Sequence, residues 1–285
     1  MARLLLVHAH PDDETLWTGG TIARYAEAGV HVTVVTCTLG EEGEVIPDEL
    51  RGLAADSADQ LGGYRVGELR AACTALGVAD QRFLGGIGRW RDSGMAGTAA
   101  NEHQRAFVNG SLDKQVDALA GIVAEVRPQV VVSYDRNGGY GHPDHIRAHQ
   151  VTMAAVGSCA GVDAVYWAAV SRSAVRDGLA ALSRLDGLPF ALPSADELPW
   201  VPDDVVSTTV DITTQLPAKV AAMRAHATQV SVWEGRGGEL AYALSDGLAR
   251  PLATVEQFTL VGGRVAADEV STDLFGGSGE GSGER

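Results

Sequence analysis

The amino-acid sequence predicts an α/β protein with a Rossmann-like, doubly wound and mostly parallel sheet and a smaller C-terminal lobe. Two observations support this fold class. Continuous apolar runs, such as Leu4–Val7 and Val130–Val132, alternate with helical stretches through the first two thirds of the chain. That alternation is typical of a parallel sheet covered by helices on both faces. From Leu188 onward, closely spaced prolines interrupt the alternation and indicate a separate lobe.

The predicted strands are short and apolar, and they lie at residues 3–9, Val32–Cys37, Arg82–Leu84, Val130–Tyr134 and Val162–Val170. The predicted helices between them lie at Thr15–Ala28, Arg65–Leu76, Ser111–Val126, His145–Ala160 and Ser171–Leu185. Gly29 and Gly77 directly follow the first two helices, and Ser111 is suited to cap the third. In the C-terminal lobe we expect a strand at Val205–Ile212 and a helix at Pro217–Gln229.

Composition narrows the classes of partner. The formal net charge of −15 disfavours nucleic acids and anionic membranes, and it suits a neutral or cationic small molecule. Three widely spaced cysteines form neither a disulfide framework nor a cysteine–zinc site. The first apolar run is too short for a secretory signal, and no later run is long enough to span a bilayer. We therefore expect a cytoplasmic protein, and the sequence leaves its oligomeric state open.

Polar motifs follow two of the predicted strands. Ala9–Glu14 follows the first strand, and Gly138–His145 follows the fourth. In a doubly wound sheet ordered 3-2-1-4-5, the strand order reverses between strands 1 and 4, and ligands bind in the crevice at that point. We therefore expect the two motifs to line one site.

The residue types of these motifs indicate a catalytic metal. His10 and Asp13 are close enough in sequence to reach one ion, and His145 is the best third ligand. Three nitrogen and oxygen ligands with one open position suit zinc, although Fe(II) accepts the same set. A metal in such a site lowers the pKa of bound water to about 7 and turns it into a nucleophile.

The remaining polar residues of the motifs suit proton transfer. Asp12 can act as the general base on the attacking water. Tyr140 and His142 lie on the glycine-rich approach to the fourth-strand motif, and either one could stabilise an oxyanion or protonate a leaving amine.

Other polar residues near the motifs receive structural interpretations. His149 is spaced to be the third ligand, but Ile146 stands where a His-Glu-x-x-His motif needs glutamate, so we expect His149 in the core or behind the ligands. Asp144 is expected either to cap a helix or to orient a ligand histidine. His8 is expected to be a packed strand residue, and His226 has no ligand-like neighbours, so we expect no metal-binding role for it.

Both motifs resemble the signatures of the PIG-L/LmbE-like deacetylases, which are Rossmann-like zinc enzymes that remove N-acetyl groups from glucosamine derivatives. The signatures correspond to Ala9–Asp13 and Gly141–His145. One branch of that family, the mycothiol-biosynthesis deacetylases of actinobacteria, is also similar at Thr36–Val45, Ala58–Arg65, Gly88–Met95 and His226–Gln229. The similarity covers most of residues 3–155 and only patches of the C-terminal third.

The resemblance implies a zinc-dependent hydrolase that deacetylates N-acetylglucosaminyl-inositol. It implies the same metal ligands and base, and it places Tyr140 and His142 at the acyl group, with His142 as the acid or oxyanion stabiliser. It also implies that Arg65 and Asp92 bind sugar hydroxyls and that Glu44 lies near the polar end of the pocket.

Two other functions stay open at this point. The related amidase that cleaves mycothiol S-conjugates shares the metal motifs, but its loop after the second strand departs from the form seen at Glu41–Val45. A non-catalytic, metal-dependent sugar-binding module would not need a general base. We divide the chain into a metal-binding catalytic domain at 1–187, a lobe at 188–272 that completes the pocket, and a flexible Gly/Ser tail at 273–285.

Overall fold

The computed structural model describes residues 1–263 and 270–276. The helices are α1 (Asp13–Glu27), α2 (Leu61–Ala75), α3 (Leu112–Val126), α4 (Pro143–Ser158), α5 (Arg172–Leu182) and α6 (Leu216–Ala225). The strands are β1 (Arg3–His8), β2 (His31–Thr36), β3 (Asp80–Phe83), β4 (Val130–Ser133), β5 (Ala164–Ala169), β6 (Thr208–Asp211), β7 (Ser231–Glu234), β8 (Leu240–Ala243), β9 (Arg250–Pro251) and β10 (Val255–Gly263).

The central sheet has seven strands in the order β3-β2-β1-β4-β5-β10-β6. The strands from β3 to β5 are parallel, and β10 runs antiparallel to both of its neighbours. The order 3-2-1-4-5, which the expectation of one shared site presupposes, is therefore observed, and it reverses between β1 and β4. The loops that follow these two strands lie at the same edge of the sheet.

The apolar run of β1 is buried on both faces because successive side chains of a strand point to opposite sides. Leu4 and Leu6 pack in a core cluster that includes Ile22 of α1. Leu5 and Val7 pack in a second cluster on the other face, which holds the apolar residues of α3 and α4. The sheet is thus sandwiched between two layers of helices, as its unbroken apolar strands require.

Four helices begin earlier than the sequence predicts, and the structure shows the reason for α2 and α4. α2 begins at Leu61 rather than Arg65, so Gly62 lies inside the helix. The close approach of the Glu41 side chain requires a glycine there, because a Cβ would lie 2.7 Å from it. α4 begins at Pro143 because His142 is its N-cap, with Nδ1 accepting a hydrogen bond from the Asp144 amide.

The last third of the chain is partly joined to the central sheet and does not form a fully separate lobe. β6 and β10 extend the central sheet, and β7, β8 and β9 form a small sheet of their own. Leu274, in the segment predicted as a tail, is buried, and its amide donates to the Tyr25 hydroxyl at 2.7 Å. The rest of the predicted tail, 277–285, lies outside the described residues. The domain boundary at residue 187 stays a prediction.

Along the described residues, no helix has both the length and the apolar character that crossing a bilayer requires.

Candidate metal and catalytic centre

Three side chains converge where the loops after β1 and β4 meet. His10 Nδ1 lies 3.4 Å from Asp13 Oδ2. His145 Nε2 lies 3.3 Å from the same carboxylate oxygen and 3.3 Å from His10 Nδ1. All three residues are buried. The structure thus brings together the three residues that the sequence predicts as metal ligands.

The spacing of these atoms fits a tetrahedral metal ion. Bonds of about 2.0–2.1 Å from zinc to nitrogen or oxygen place neighbouring ligand atoms roughly 3.4 Å apart in a tetrahedron. The observed triangle of 3.3–3.4 Å matches that requirement on all three sides. His142 lies nearby and groups with the two histidines in a possible metal-binding cluster. The site can therefore hold a divalent ion.

Each ligand histidine is oriented by a bond from its other ring nitrogen. His10 Nε2 lies 3.3 Å from Asp144 Oδ2 and 3.5 Å from Asp92 Oδ1. His145 Nδ1 lies 3.1 Å from the carbonyl oxygen of Gly138. These contacts leave Nδ1 of His10 and Nε2 of His145 facing the triangle, as partners behind a metal site do. Of the two roles expected for Asp144, the structure supports the second, orienting a ligand histidine.

Electrostatics favour the charged form of Asp13 despite its burial. Burial alone would raise the pKa of Asp13, but His145 and His10 outweigh it and hold the pKa well below its usual value. Burial would likewise lower the pKa of His10, but Asp92 and the hydrogen bonds to Asp13 and Asp144 raise it well above its usual value. A carboxylate paired with imidazoles in a buried cluster is an environment suited to a cation.

Asp12 lies beside the triangle and not in it. Its backbone has φ 111°, in a region that favours glycine, and its side chain makes no helix-capping bond. Instead, Arg65 Nη2 donates to Asp12 Oδ2 at 2.9 Å. Burial raises the pKa of Asp12 to about 6, against the opposing charge of Arg65. At neutral pH the group is therefore ionised and yet readily protonated, which suits a general base.

His142 is held as a neutral imidazole. Burial and the charges of His10 and His145 lower its pKa to about 3. Because Nδ1 accepts from the Asp144 amide at 3.1 Å, the ring proton is on Nε2. Tyr140 is 47% exposed, and its ring centroid lies 4.9 Å from that of His145. Burial of its hydroxyl raises the pKa of Tyr140, so it stays protonated. Both residues can donate hydrogen bonds at this edge of the sheet.

The three residues assigned to sugar binding by resemblance lie in different settings. Arg65 is 2% exposed, and its guanidinium bonds Asp12 and the carbonyl oxygens of Gly40 and Pro11. Asp92 is buried behind His10, with Oδ1 also accepting from the Gly94 amide at 2.8 Å. Glu44 is exposed. Their roles in substrate binding stay predictions.

One aromatic residue that contacts the site was not identified from the sequence. Tyr134, at the end of β4, stacks on His145 with ring centroids 4.2 Å apart and donates its hydroxyl hydrogen toward Asp13. The same hydroxyl oxygen accepts from the Ala9 amide at 2.8 Å. Its place directly after a buried strand was the available signal. His149, as expected, lies behind the ligands, with Nδ1 3.0 Å from the Tyr134 carbonyl oxygen.

Glu14 and His226 form a second pair that the sequence did not reveal. Their side chains are fully buried, and His226 Nε2 lies 2.7 Å from Glu14 Oε1. The sequence alone assigns no functional role to His226. No local motif connects them, because they are 212 residues apart in the chain.

Comparison with known proteins gives a family match and extensive similarity to curated relatives. The family model of PIG-L, GlcNAc-PI de-N-acetylase, matches residues 5–156. The chain is 61% identical over 288 residues to 1D-myo-inositol 2-acetamido-2-deoxy-alpha-D-glucopyranoside deacetylase 1 of Saccharopolyspora erythraea. That alignment covers 97% of this chain and 94% of the relative.

Solved structures share the fold at lower identity. N,N'-diacetylchitobiose deacetylase from Pyrococcus horikoshii has a TM-score of 0.53 at 20% identity, over 79% of this chain and 70% of that chain. The 4-carboxy-2-hydroxymuconate hydratase from Pseudomonas putida KT2440 has a TM-score of 0.58 at 21% identity, over 94% of this chain and 100% of that chain. A deacetylase and a hydratase on one fold show that the reaction must be argued from the site.

Proposed function

Because the chain belongs to the PIG-L family of de-N-acetylases, we propose that it is a metal-dependent hydrolase that removes the N-acetyl group of 1D-myo-inositol 2-acetamido-2-deoxy-alpha-D-glucopyranoside. This is the substrate named for the S. erythraea relative, and the corresponding step belongs to mycothiol biosynthesis. The products are acetate and a free amine.

The observation that carries the proposal is the triangle of His10, Asp13 and His145, with Asp12 beside it. Three ligand atoms 3.3–3.4 Å apart suit a tetrahedral ion with one open position. A site that only bound metal would not need an adjacent carboxylate whose pKa is raised to about 6. The combination supports hydrolysis rather than a sugar-binding module.

The chain's own residues account for the proton movements. When bound, zinc or Fe(II) would lower the pKa of water and polarise the amide carbonyl. Asp12 takes a proton from the attacking water as the new C–O bond forms. His142, neutral and protonated on Nε2, donates a hydrogen bond to the oxygen on which negative charge develops. The proton held by Asp12 then serves the departing amine as the C–N bond breaks.

The form of His142 favours the oxyanion role over the acid role. A neutral imidazole whose pKa is lowered to about 3 is a poor proton donor to an amine, but it remains a good hydrogen-bond donor. Tyr140 is the second donor we assign to the acyl group. The substrate is a small amino sugar, and we assign Arg65, Asp92 and Glu44 to its binding. We also propose that the enzyme is cytoplasmic. Zinc is our choice of metal, and Fe(II) is the alternative.

The test is an amine-release assay with metal-loaded protein and the acetamido-glucosyl-inositol. We expect primary amine to accumulate and to stop when a chelator is added. Faster cleavage of a mycothiol S-conjugate than of the disaccharide would instead favour the amidase. Saturable sugar binding without amine release would identify a binding module and contradict the proposal.

A further inference from the structure

The backbone of Asp12 needs external support. With φ 111° and ψ −34° it lies where residues other than glycine are disfavoured. Such conformations persist only where the surroundings enforce them, and they cluster at functional sites. On the side-chain end, Arg65 provides the support through its 2.9 Å bond to Oδ2. A second support acts on the main chain.

Glu14 provides that second support. Its Oε2 accepts a hydrogen bond from the backbone amide of Asp12 at 2.9 Å. Its Oε1 accepts from the Thr15 hydroxyl at 2.5 Å. In a capping box the acid that accepts from the N-cap amide stands at the third helical position, whereas Glu14 stands at the second. Glu14 is also 0% exposed, and a carboxylate needs no such burial to cap a helix.

His226 explains how this buried carboxylate is tolerated. The ring lies at the end of α6 and is 0% exposed, with Nε2 2.7 Å from Glu14 Oε1. Its other nitrogen, Nδ1, has no hydrogen-bond partner within the described residues. In the described part of the chain, the only hydrogen bond of the imidazole is therefore the one to Glu14. A buried histidine–carboxylate pair of this kind is weak evidence for stability, because taking both polar groups out of water is costly.

A second buried pair between the same elements provides a comparison. Lys219, also on α6, has Nζ 2.6 Å from Glu256 Oε1, and both side chains are nearly fully buried. Glu256 accepts from the amides of Gly20 and Thr21 at 2.9 and 2.8 Å, near the middle of α1. The two pairs share a buried carboxylate, a buried nitrogen donor from α6 or its end, and backbone amides of the α1 region. Only the first contacts Asp12.

We propose that Glu14 and His226 are positioning residues that hold the Asp12 backbone in its left-handed conformation and so aim the base at the reaction centre. The inference rests on the proposed function for its kinetic consequence only. Through His226, the C-terminal third of the chain contributes to catalysis without contributing a metal ligand. The geometric part of the proposal, the hold on the Asp12 amide, stands independently of the substrate.

The experiment compares His226→Gln with His226→Asn. Glutamine places an amide donor where Nε2 lies and can reach Glu14, whereas asparagine is too short to do so. Both are polar, uncharged and buried, so any general cost to stability is similar. Lys219→Met serves as the control, because it likewise removes a buried partner of a carboxylate from α6, while that carboxylate keeps its two amide donors.

Two readouts are measured on each metal-loaded variant. In His226→Asn we expect kcat to fall about 10- to 100-fold, the range for residues behind a metal site, with KM and bound metal little changed. His226→Gln should stay within about 3-fold of the wild type, a small part of that range. Hydrogen exchange of the Asp12 amide, followed by NMR, should accelerate about 10-fold or more in His226→Asn alone.

The outcomes separate the two proposals. If the wild type releases no amine, the proposed function fails, but the exchange rate of the Asp12 amide still decides the positioning role. Equal Asp12 exchange in the asparagine and glutamine variants, or equal acceleration in Lys219→Met, would overturn that role. So would an equal loss of kcat in His226→Asn and Lys219→Met when the wild type is active.

Discussion

The parallel half of the sheet and its antiparallel extension serve the candidate site in different ways. The loops after β1 and β4 in the parallel half provide the proposed ligands and the proposed base. The extension, formed by β10 and β6 with α6 beside them, provides Lys219, His226 and Glu256, which are buried against the α1 region. The proposed catalytic residues thus lie at the edge of the sheet where β1 and β4 end, and the buried contacts behind them come from a part of the chain that is distant in sequence.

The largest effect is expected from removing a ligand in the parallel half. His145→Ala should abolish tight metal binding and lower activity by more than about a thousandfold, because a metal contributes several kcal/mol to such a transition state. The measurements are metal content per chain and the amine-release rate.

His149→Ala is the matched control for that variant. His149 lies four residues further along α4, and its imidazole bonds the Tyr134 carbonyl oxygen instead of joining the triangle. It should retain its metal. Metal loss in His149→Ala but not in His145→Ala would reassign the third ligand.

The next effect concerns chemistry without metal loss. Asp12→Asn keeps the shape of the side chain, and its oxygen can still accept from Arg65, but it cannot take a proton from water. We expect kcat to fall about 10²- to 10⁴-fold with metal content unchanged. The wild-type rate should fall as the pH drops below about 6, because protonation removes the base. An active Asp12→Asn enzyme would show that another group accepts the proton.

The same contrast explains what the sequence reveals about the fold. The parallel half was predictable because β1, β2, β4 and β5 are largely apolar and buried on both faces, whereas the order 3-2-1-4-5 comes from the fold rule and not from the residues themselves. The extension was not, because β6 and β10 are antiparallel and carry polar residues among the apolar ones. Strands of this mixed composition are equally compatible with a separate small sheet. No pattern in their own sequence shows that they join the larger sheet.

The residues of the site also differ in how far the sequence predicts them. His10, Asp13 and His145 stand in short polar motifs directly after apolar strands, where the fold rule gives their position meaning. Glu14 and His226 could not be paired from the sequence, because their contact depends on where α6 packs. Asp92 and Arg65 were singled out by resemblance alone, and their buried contacts with His10 and Asp12 depend on loop conformations that no periodicity encodes.

The contact between the two regions can be tested through stability. Gly20 of α1 faces Ile212, and a Cβ there would lie 2.3 Å from the isoleucine side chain. Gly20→Ala should therefore lower the free energy of unfolding by about 1–3 kcal/mol, the usual cost of overpacking. Gly121→Ala, in α3 with nothing within 4 Å of the added Cβ, should instead raise it by about 0.5–1 kcal/mol. Urea unfolding measures both, and a stabilised Gly20→Ala would mean that α1 and Ile212 are not in close contact.

The smallest effect is expected from an ion pair of the C-terminal region that faces solvent. Arg250 Nη2 lies 2.6 Å from Asp246 Oδ2, and the Asp246 side chain is 41% exposed. Such pairs contribute about 0.2–1 kcal/mol, screened by salt, so Asp246→Asn should lower the unfolding free energy by no more than that.

The hydrogen bond from Arg250 lowers the pKa of Asp246. The difference between wild type and variant is therefore full above the unfolded pKa of about 3.9 and disappears as the pH falls through the lower folded value. Urea unfolding at neutral and acidic pH measures it, and a difference as large as that of Gly20→Ala would show that exposed charges in this region are as important as its buried contacts.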